Sequence, residues 1–261
     1  MLKVRVIPTL LWKSLGLVKG VRFDSWRRVG TIMPAVKVYN NREVDELVLL
    51  DIEATREQRA PEYEMIEEIA AECFVPLTVG GGVLDVEMVR GLLRAGADKV
   101  CINTAAYADP ELIRVAADRF GAQCIVIGID ARRGVDGTYE CVSHSGTKVA
   151  GKDPVTWARQ VEMLGAGEIL LTSVDRDGTM EGYDLQLVAN VAAAVRIPVI
   201  ASGGAGSYGH LHEAIVSGAS AVAAASIFHF TEQTPREAKR FLKERGVPVR
   251  EPLVSLGKAA Q

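Results

Sequence analysis

The chain is poor in the residues that most often announce a function. Among 261 residues there are four cysteines, four histidines and three tryptophans, and aromatics make up only 6%. The cysteines (Cys73, Cys101, Cys124, Cys141) show no Cys-x-x-Cys spacing, which argues against zinc and dithiol chemistry. Cys101 and Cys124 lie inside apolar runs, so all four read as reduced core residues. The histidines (His144, His210, His212, His229) share no ligand spacing with carboxylates, so neither a metal nor an organic cofactor is expected, and surface positions are expected for all four. No apolar run approaches the ~18 residues of a membrane span, and the charges in Met1-Leu-Lys-Val-Arg5 interrupt any signal-peptide pattern. A cytoplasmic protein is expected. The net charge of −3 gives no electrostatic reason to expect nucleic acid or an anionic membrane as partner.

What the chain does have is a repeat. Val75-Pro-Leu-Thr-Val-Gly-Gly-Gly82 returns as Ile197-Pro-Val-Ile-Ala-Ser-Gly-Gly204, and the segment Ala95–Ala106 returns as Ser217–Phe228. Both pairs share one offset, since 197 − 75 and 217 − 95 each give 122, and Glu46–Leu50 with Glu168–Thr172 keeps it. Apolar runs that end in glycine or small polar residues, repeated over half the chain, predict two half-barrels, about 1–120 and 121–250, closed into one α/β (β/α)₈ barrel. The length suits that fold. The segment 251–261 is expected to be a tail, as is the proline-containing stretch leading into it from Val247.

Eight strands are predicted at about 4–10, 45–51, 76–80, 98–102, 124–130, 167–173, 198–202 and 221–225. Between them lie stretches such as Pro61–Ala71 and Asp153–Leu164, whose apolar residues recur at helical spacing. Strand, helix, strand throughout implies a parallel sheet. Two longer connections, 12–30 and 131–152, occupy corresponding places in the halves and are expected on the rim that carries chemistry in such barrels. The first, with Gly16, Lys19, Gly20 and Arg22, reads either as a mobile lid or as a solvated loop. Trp12 and Trp26 flank it, to pack over a ligand or to anchor the loop.

At the strand ends stand Gly80-Gly-Gly82, Asn103-Thr104, Asp175-Arg-Asp-Gly-Thr179, Ser202-Gly-Gly-Ala-Gly206 and Ala225-Ser226. Glycines let backbone N–H groups approach an anion closely, and a helix N-terminus adds a favourable dipole. A cradle in each half implies a small molecule with a phosphate at each end.

Nearly the whole chain, from Arg5 to about Arg250, resembles the HisF-like cyclase subunit of imidazole glycerol phosphate synthase. The strings that carry the resemblance are Leu50-Asp-Ile52, Leu77–Gly82, Ala95–Val100, Gly165–Ser173, Asp175–Asp184 and Pro198–Gly206. It implies a barrel that takes ammonia from a glutaminase subunit docked on its bottom as a heterodimer, and converts a bis-phosphate aminoimidazole ribotide to imidazole glycerol phosphate and an aminoimidazole carboxamide ribotide. It further implies phosphate contacts at Gly82, Asn103, Thr104, Asp177, Gly178, Gly204, Ala225 and Ser226, a closing loop carrying Lys19, and an acid/base role for Asp130. An ammonia gate is implied at Arg5, Glu46, Lys99 and Glu168, and a partner interface at Asp98 and Gln123. Taken alone, the four gate charges read more readily as a stabilising salt-bridge ring on the bottom face; the match of Asp98 and Gln123 to the family's bottom face turns the reading toward a retained partner and conduit.

The chain departs from that family at one catalytic position. The family's first strand ends Ile-Pro-Cys-Leu-Asp, and its aspartate is the second of two acid/base carboxylates; here the stretch reads Ile7-Pro-Thr-Leu-Leu11. Leucine carries no proton, and losing one positioned acid/base group costs roughly 10²–10⁴ in rate. A second aspartate of the motif is replaced by Ser14. Asp51, Glu53 or Lys19 could reach the same proton from another direction. With the ammonia gate present and one proton-transfer group absent, the chain is most similar to the branch associated with surface-polysaccharide sugar amidation, in which ammonia passes to a third, sugar-amidating protein. The histidine-pathway cyclase is the alternative. A cofactor-free sugar isomerase of the half-barrel type is a third reading; it would need carboxylates after both strand 1 and strand 5 and no ammonia gate, so Leu11 and the four gate charges both argue against it.

Overall fold

The structure is a computed structural model that describes residues 3–14 and 16–251. Short apolar runs rich in Val, Ile and Leu form the strands, as pleated, half-buried segments favour branched side chains. In chain order these are β1 (Arg5–Lys13), β2 (Gly16–Val21), β3 (Asp24–Gly30), β4 (Leu47–Asp51), β5 (Leu77–Gly80), β6 (Lys99–Ile102), β7 (Ile125–Arg133), β8 (Tyr139–Ser143), β9 (Lys148–Val149), β10 (Glu168–Ser173), β11 (Val199–Ser202) and β12 (Ala221–Ala224). Eight of them, β1, β4, β5, β6, β7, β10, β11 and β12, are parallel neighbours in that order. The β12–β1 ladder closes the ring, so the fold is a (β/α)₈ barrel.

Helices cover the outside, and their starts are written in side-chain caps. The Asp85, Asp153, Asp184, Ser207 and Thr234 side chains each accept from a backbone N–H three residues on, opening helices 86–94, 154–163, 185–192, 208–216 and 235–244. Pro154 and Pro235 stand at the first helical positions, where a missing N–H loses nothing. The helices bury one face against the sheet, with Trp157, Leu92, Ile113 and Leu242 essentially inaccessible. Among the described residues no helix is long and apolar enough to cross a membrane.

Inside the ring, every second residue of each strand points at the axis. Leu11 pairs with Leu50 and Asp130 with Thr172. Because 172 − 50 is again 122, the ladders place Leu11 and Asp130 at equivalent positions on opposite sides of the barrel. A compact apolar cluster of Ile7, Val48, Cys101, Val126, Leu170, Ile200, Ala221 and Ala223 fills the middle of the axis, separate from the outer core.

Three expectations need correction. The connections 12–30 and 131–152 are largely regular: β1 runs on to Lys13 and turns into the antiparallel β2–β3 ribbon, and β7 continues into β8 and β9. Arg22 and Phe23 make the first turn at positive φ, and in the second connection His144 and Ser145 share that conformation with Gly137 and Gly146. The stretch from Val247 to Glu251 is not a tail. Val4 donates its N–H to the Pro248 carbonyl at 2.7 Å and Val249 bridges to Val4, with Val247 and Val249 buried. The remaining positions of the expected tail, 252–261, lie outside the described residues. Finally, all four histidines are half-buried rather than on the surface. His210 accepts from the Gly206 N–H, and His229 meets Tyr39, its ring nitrogen 3.4 Å from the phenol oxygen. The four cysteines are free, and only Cys101 and Cys141 are fully buried.

Lys239 on the last helix is 1% exposed, and its ammonium contacts the Glu43 carbonyl at 2.6 Å and Asp45 at 3.1 Å. Asp45 in turn accepts the Val6 N–H at 2.9 Å, so the pair ties the last helix to the first strand. Removing one partner strands a buried charge. Lys239→Met is expected to lower unfolding stability by about 3–5 kcal/mol, measured by urea denaturation, and the double change Lys239→Met with Asp45→Asn to recover part of the loss.

Candidate active site

Alternation along the strands sorts the axis into three levels. At the N-terminal end of the barrel, Arg5, Glu46, Lys99 and Glu168 form a closed ring of alternating charge. Arg5 Nη1 donates to Glu46 at 2.8 Å and to Glu168 at 2.9 Å; Lys99 Nζ donates to Glu46 at 3.0 Å and to Glu168 at 3.1 Å. Burial disfavours the Arg5 charge, but Glu168 and Glu46 outweigh it and raise the pKa of the guanidinium above its ordinary value. The apolar cluster is the second level.

The third level is a cavity at the C-terminal rim. It is lined by Gly82, Asn103 and Thr104 from one half and by Asp177, Gly178, Gly204, Ala225 and Ser226 from the other, together with Leu11, Lys19 and Asp130. All eleven rim positions singled out in the sequence therefore share one space. Asp98 and Gln123 sit at the opposite end, exposed, with Asp98 accepting the Leu77 N–H at 2.8 Å. Among the described residues no three His, Cys, Asp or Glu side chains converge as a metal site.

Backbone shape brings the rim together. Gly178, at φ +75°, lies against the Gly20 carbonyl of the first ribbon, and Gly204, at φ +109°, lies against that of Gly182; a side chain at either place would collide with backbone. The ribbon is closed over the cavity. Arg22 donates its N–H to the Asp177 carbonyl at 2.8 Å, Arg27 stacks 3.6 Å over the Phe230 ring, and Lys19, 4% exposed, pairs with Asp177 at 2.6 Å. Burial raises the Asp177 carboxyl above its ordinary pKa although Lys19 opposes the shift. From the other side, His144 donates its N–H to the Thr104 hydroxyl, and the Ser145 hydroxyl donates to the Ile52 carbonyl at 2.8 Å. Trp26 and Phe23 line the cavity, whereas Trp12 is buried in the outer core.

Leu11 is 9% exposed and faces the cavity across from Asp130. The carboxylates that could replace the missing one are committed elsewhere. Asp51 pairs with Arg59 at 2.9 Å and accepts the Glu53 and Ala54 N–H groups; Glu53 pairs with Lys13 at 3.0 Å and holds Ser14. Lys19 is held by Asp177. Asp130 stands with Asn103, whose Nδ2 donates to Oδ2 at 2.8 Å. Burial pushes its carboxyl up to about 7, further raised by the Asp177 charge and opposed by the hydrogen bonds from Asn103 and Thr172.

Thr9, Thr55, Ser145 and Thr172 also line the cavity and were not singled out from sequence, whereas Ser202 belongs to a strand-end segment that was. Thr9 and Thr172 were findable, being two positions from Leu11 on β1 and level with Asp130 on the ladder. Ser145 was not, because only the folded second ribbon delivers it. The raised Asp130 pKa fixes a sign for stability. Between about 4 and about 7 the folded chain keeps a proton that the unfolded chain releases, so this group's contribution is present at low pH and is lost as pH rises. Asp130→Asn is therefore expected to gain stability relative to the parent chain between pH 5 and pH 8, on the order of 3 kcal/mol, measured by denaturant titration across that range.

Residues 5–234, which span the barrel strands, the charge ring and the rim cavity, match the family described as histidine biosynthesis protein. The chain belongs to that family.

Proposed function

We propose that this chain is the barrel subunit of a glutamine amidotransferase pair. It receives ammonia from a partner glutaminase at the end marked by the charge ring and passes it along the axis for amidination of a sugar in surface-polysaccharide biosynthesis. The observation that carries the reading is Leu11 standing opposite Asp130 with no carboxylate free to replace it. A cyclase that opens and closes rings by proton transfer needs an acid and a base on opposite faces of its ligand; here an aliphatic wall faces Asp130, and the other carboxylates lining the cavity, Asp51 and Asp177, are ion-paired with Arg59 and Lys19.

Several features support the remaining parts of the proposal. The four charges at the barrel's N-terminal end balance one another, so the ring can rearrange without leaving an unpaired buried ion. Phe74, Met163 and Val216, exposed by 81%, 79% and 72%, lie at that same end, as do Asp98 and Gln123, which suits a docked subunit. The apolar middle section admits neutral ammonia more readily than ammonium, whose transfer out of water is strongly unfavourable. Gly82, Gly178, Gly204 and Ser226 around the rim suit a phosphate-bearing ligand, with Lys19 exchanging Asp177 for phosphate.

The alternative is a histidine-pathway cyclase with rearranged acid/base groups, favoured by the survival of Asp130 in that cavity. Genetics separates the two. The chain is expected to fail to complement a histidine auxotroph lacking the cyclase, and the pair purified with its glutaminase to turn over the ribotide roughly 10²–10⁴ more slowly than a histidine enzyme; brisk turnover overturns the proposal. Leu11→Asp is expected to recover part of that activity, and no change would mean that the rest of the cavity has diverged too.

A further inference from the structure

We propose that the outer rim beside Asp175 is a docking surface for an acidic face of a partner protein, the sugar-amidating protein that takes up the ammonia. This assignment rests on the conduit reading for the identity of its occupant. The chain carries a net charge of −3, yet its two rim ribbons are basic: residues 12–30 hold Lys13, Lys19, Arg22, Arg27 and Arg28 against Asp24 alone, and residues 131–152 hold four lysines and arginines against Asp136 and Glu140. Three arginines gather around one residue there. The Arg22 guanidinium donates to the Asp175 carbonyl at 3.2 Å, the Arg133 N–H donates to the Asp175 carboxylate at 2.7 Å, and Arg176 is next in the chain. Arg133 and Arg176 also act on one phenol: burial and Asp184 push Tyr139 up to about 12, and both guanidiniums oppose that shift.

The fold makes little use of these charges. All three arginines are exposed; among the described residues neither Arg22 nor Arg133 forms an ion pair, and Arg176 meets Glu181 at 3.7 Å through exposed side chains. The nearby Asp136 directs its carboxylate to the Thr138 N–H and hydroxyl. Apolar side chains stand beside the cations: Val21, next to Arg22, is 43% exposed, and Val135, two residues from Arg133 in the turn between β7 and β8, is fully exposed. Arginine is enriched at protein interfaces, and water-exposed valines gain burial only against another apolar surface, which a small anion does not supply. The surface lies at the end of the barrel opposite the charge ring and adjoins the cavity through Arg22, whose N–H rests on the Asp177 carbonyl. A partner seated there meets ammonia where it leaves the axis and leaves the other end to the glutaminase. Attraction between opposite patches speeds association and fixes orientation, and salt screens it.

The test reconstitutes this chain with its glutaminase and the sugar-amidating protein. Arg133→Glu combined with Arg176→Glu is expected to weaken binding of the amidating protein roughly tenfold or more, read by surface plasmon resonance, and to lower glutamine-driven amidination in step at limiting chain. Glutaminase activity and amidination driven by added ammonium chloride are expected to stay unchanged. The pair Arg133→Lys with Arg176→Lys, which keeps the charge, is expected to bind like the parent, and Val135→Ser to weaken binding about threefold. Added salt is expected to weaken the parent complex more than the charge-reversed one. A charge-reversed chain that binds and transfers like the parent overturns the surface, and so does one that keeps the amidating protein but loses binding of uridine diphosphate or of vesicles containing phosphatidylglycerol. A parent chain that passes no glutamine nitrogen to the sugar sinks the conduit reading and this surface with it, so the parent tells the two failures apart.

Discussion

Closure of eight parallel strands into one ring is the constraint from which the rest of this molecule follows. A strand alternates its side chains, so a closed sheet has only one inside, and every second residue of eight strands must share a single axis. On β1 this brings Arg5, Ile7, Thr9 and Leu11 inward in succession. On β7 it brings Val126, Gly128 and Asp130. The charged, apolar and polar levels are thus consequences of pleat and register. No local device places them.

The two ends of the axis handle charge in different ways. At the N-terminal end, two cations and two carboxylates neutralise one another at hydrogen-bonding distance. At the rim, Lys19 and Asp177 form such a pair, but Asp130 has only neutral partners and resists ionisation. In the first arrangement burial disfavours the Arg5 charge, but Glu168 and Glu46 raise the guanidinium above its ordinary pKa. The second pushes the Asp130 carboxyl up to about 7, close to neutrality.

Lys239 and Asp45 connect these levels to the outer shell. Their buried pair reaches the Val6 N–H, next to Arg5, while Glu46 follows Asp45 directly in the chain. The last helix is thereby fastened beneath the charge ring, and the stretch to Val249 closes over the same end through Val4.

Much of this was legible in the chain. The strand positions followed from short apolar runs ending in glycine or small polar residues, and the offset of 122 placed equivalent strands on opposite sides of the ring. The gathering of Gly82, Gly178, Gly204 and Ser226 followed from their places at strand ends. The rim ribbons did not, because Arg22 and Phe23 turn the first at positive φ where non-glycine residues are uncommon, and His144 and Ser145 do so beside Gly146 in the second. Nor did the burial of Lys239, a residue type that usually faces water, nor the folding back of residues 247–251.

By itself, then, the sequence determined which side chains face the axis, since that depends on spacing within a strand, and its resemblance to the cyclase family marked Leu11 as standing where that family carries a carboxylate. Only the tertiary structure decided that Asp51, Glu53 and Lys19 are tied to other partners and that Asp130 holds its proton near neutrality. Ion pairing and desolvation depend on what the whole fold brings within a few ångströms, from Asn103 on one strand to Asp177 beyond another, and no local spacing encodes that sum.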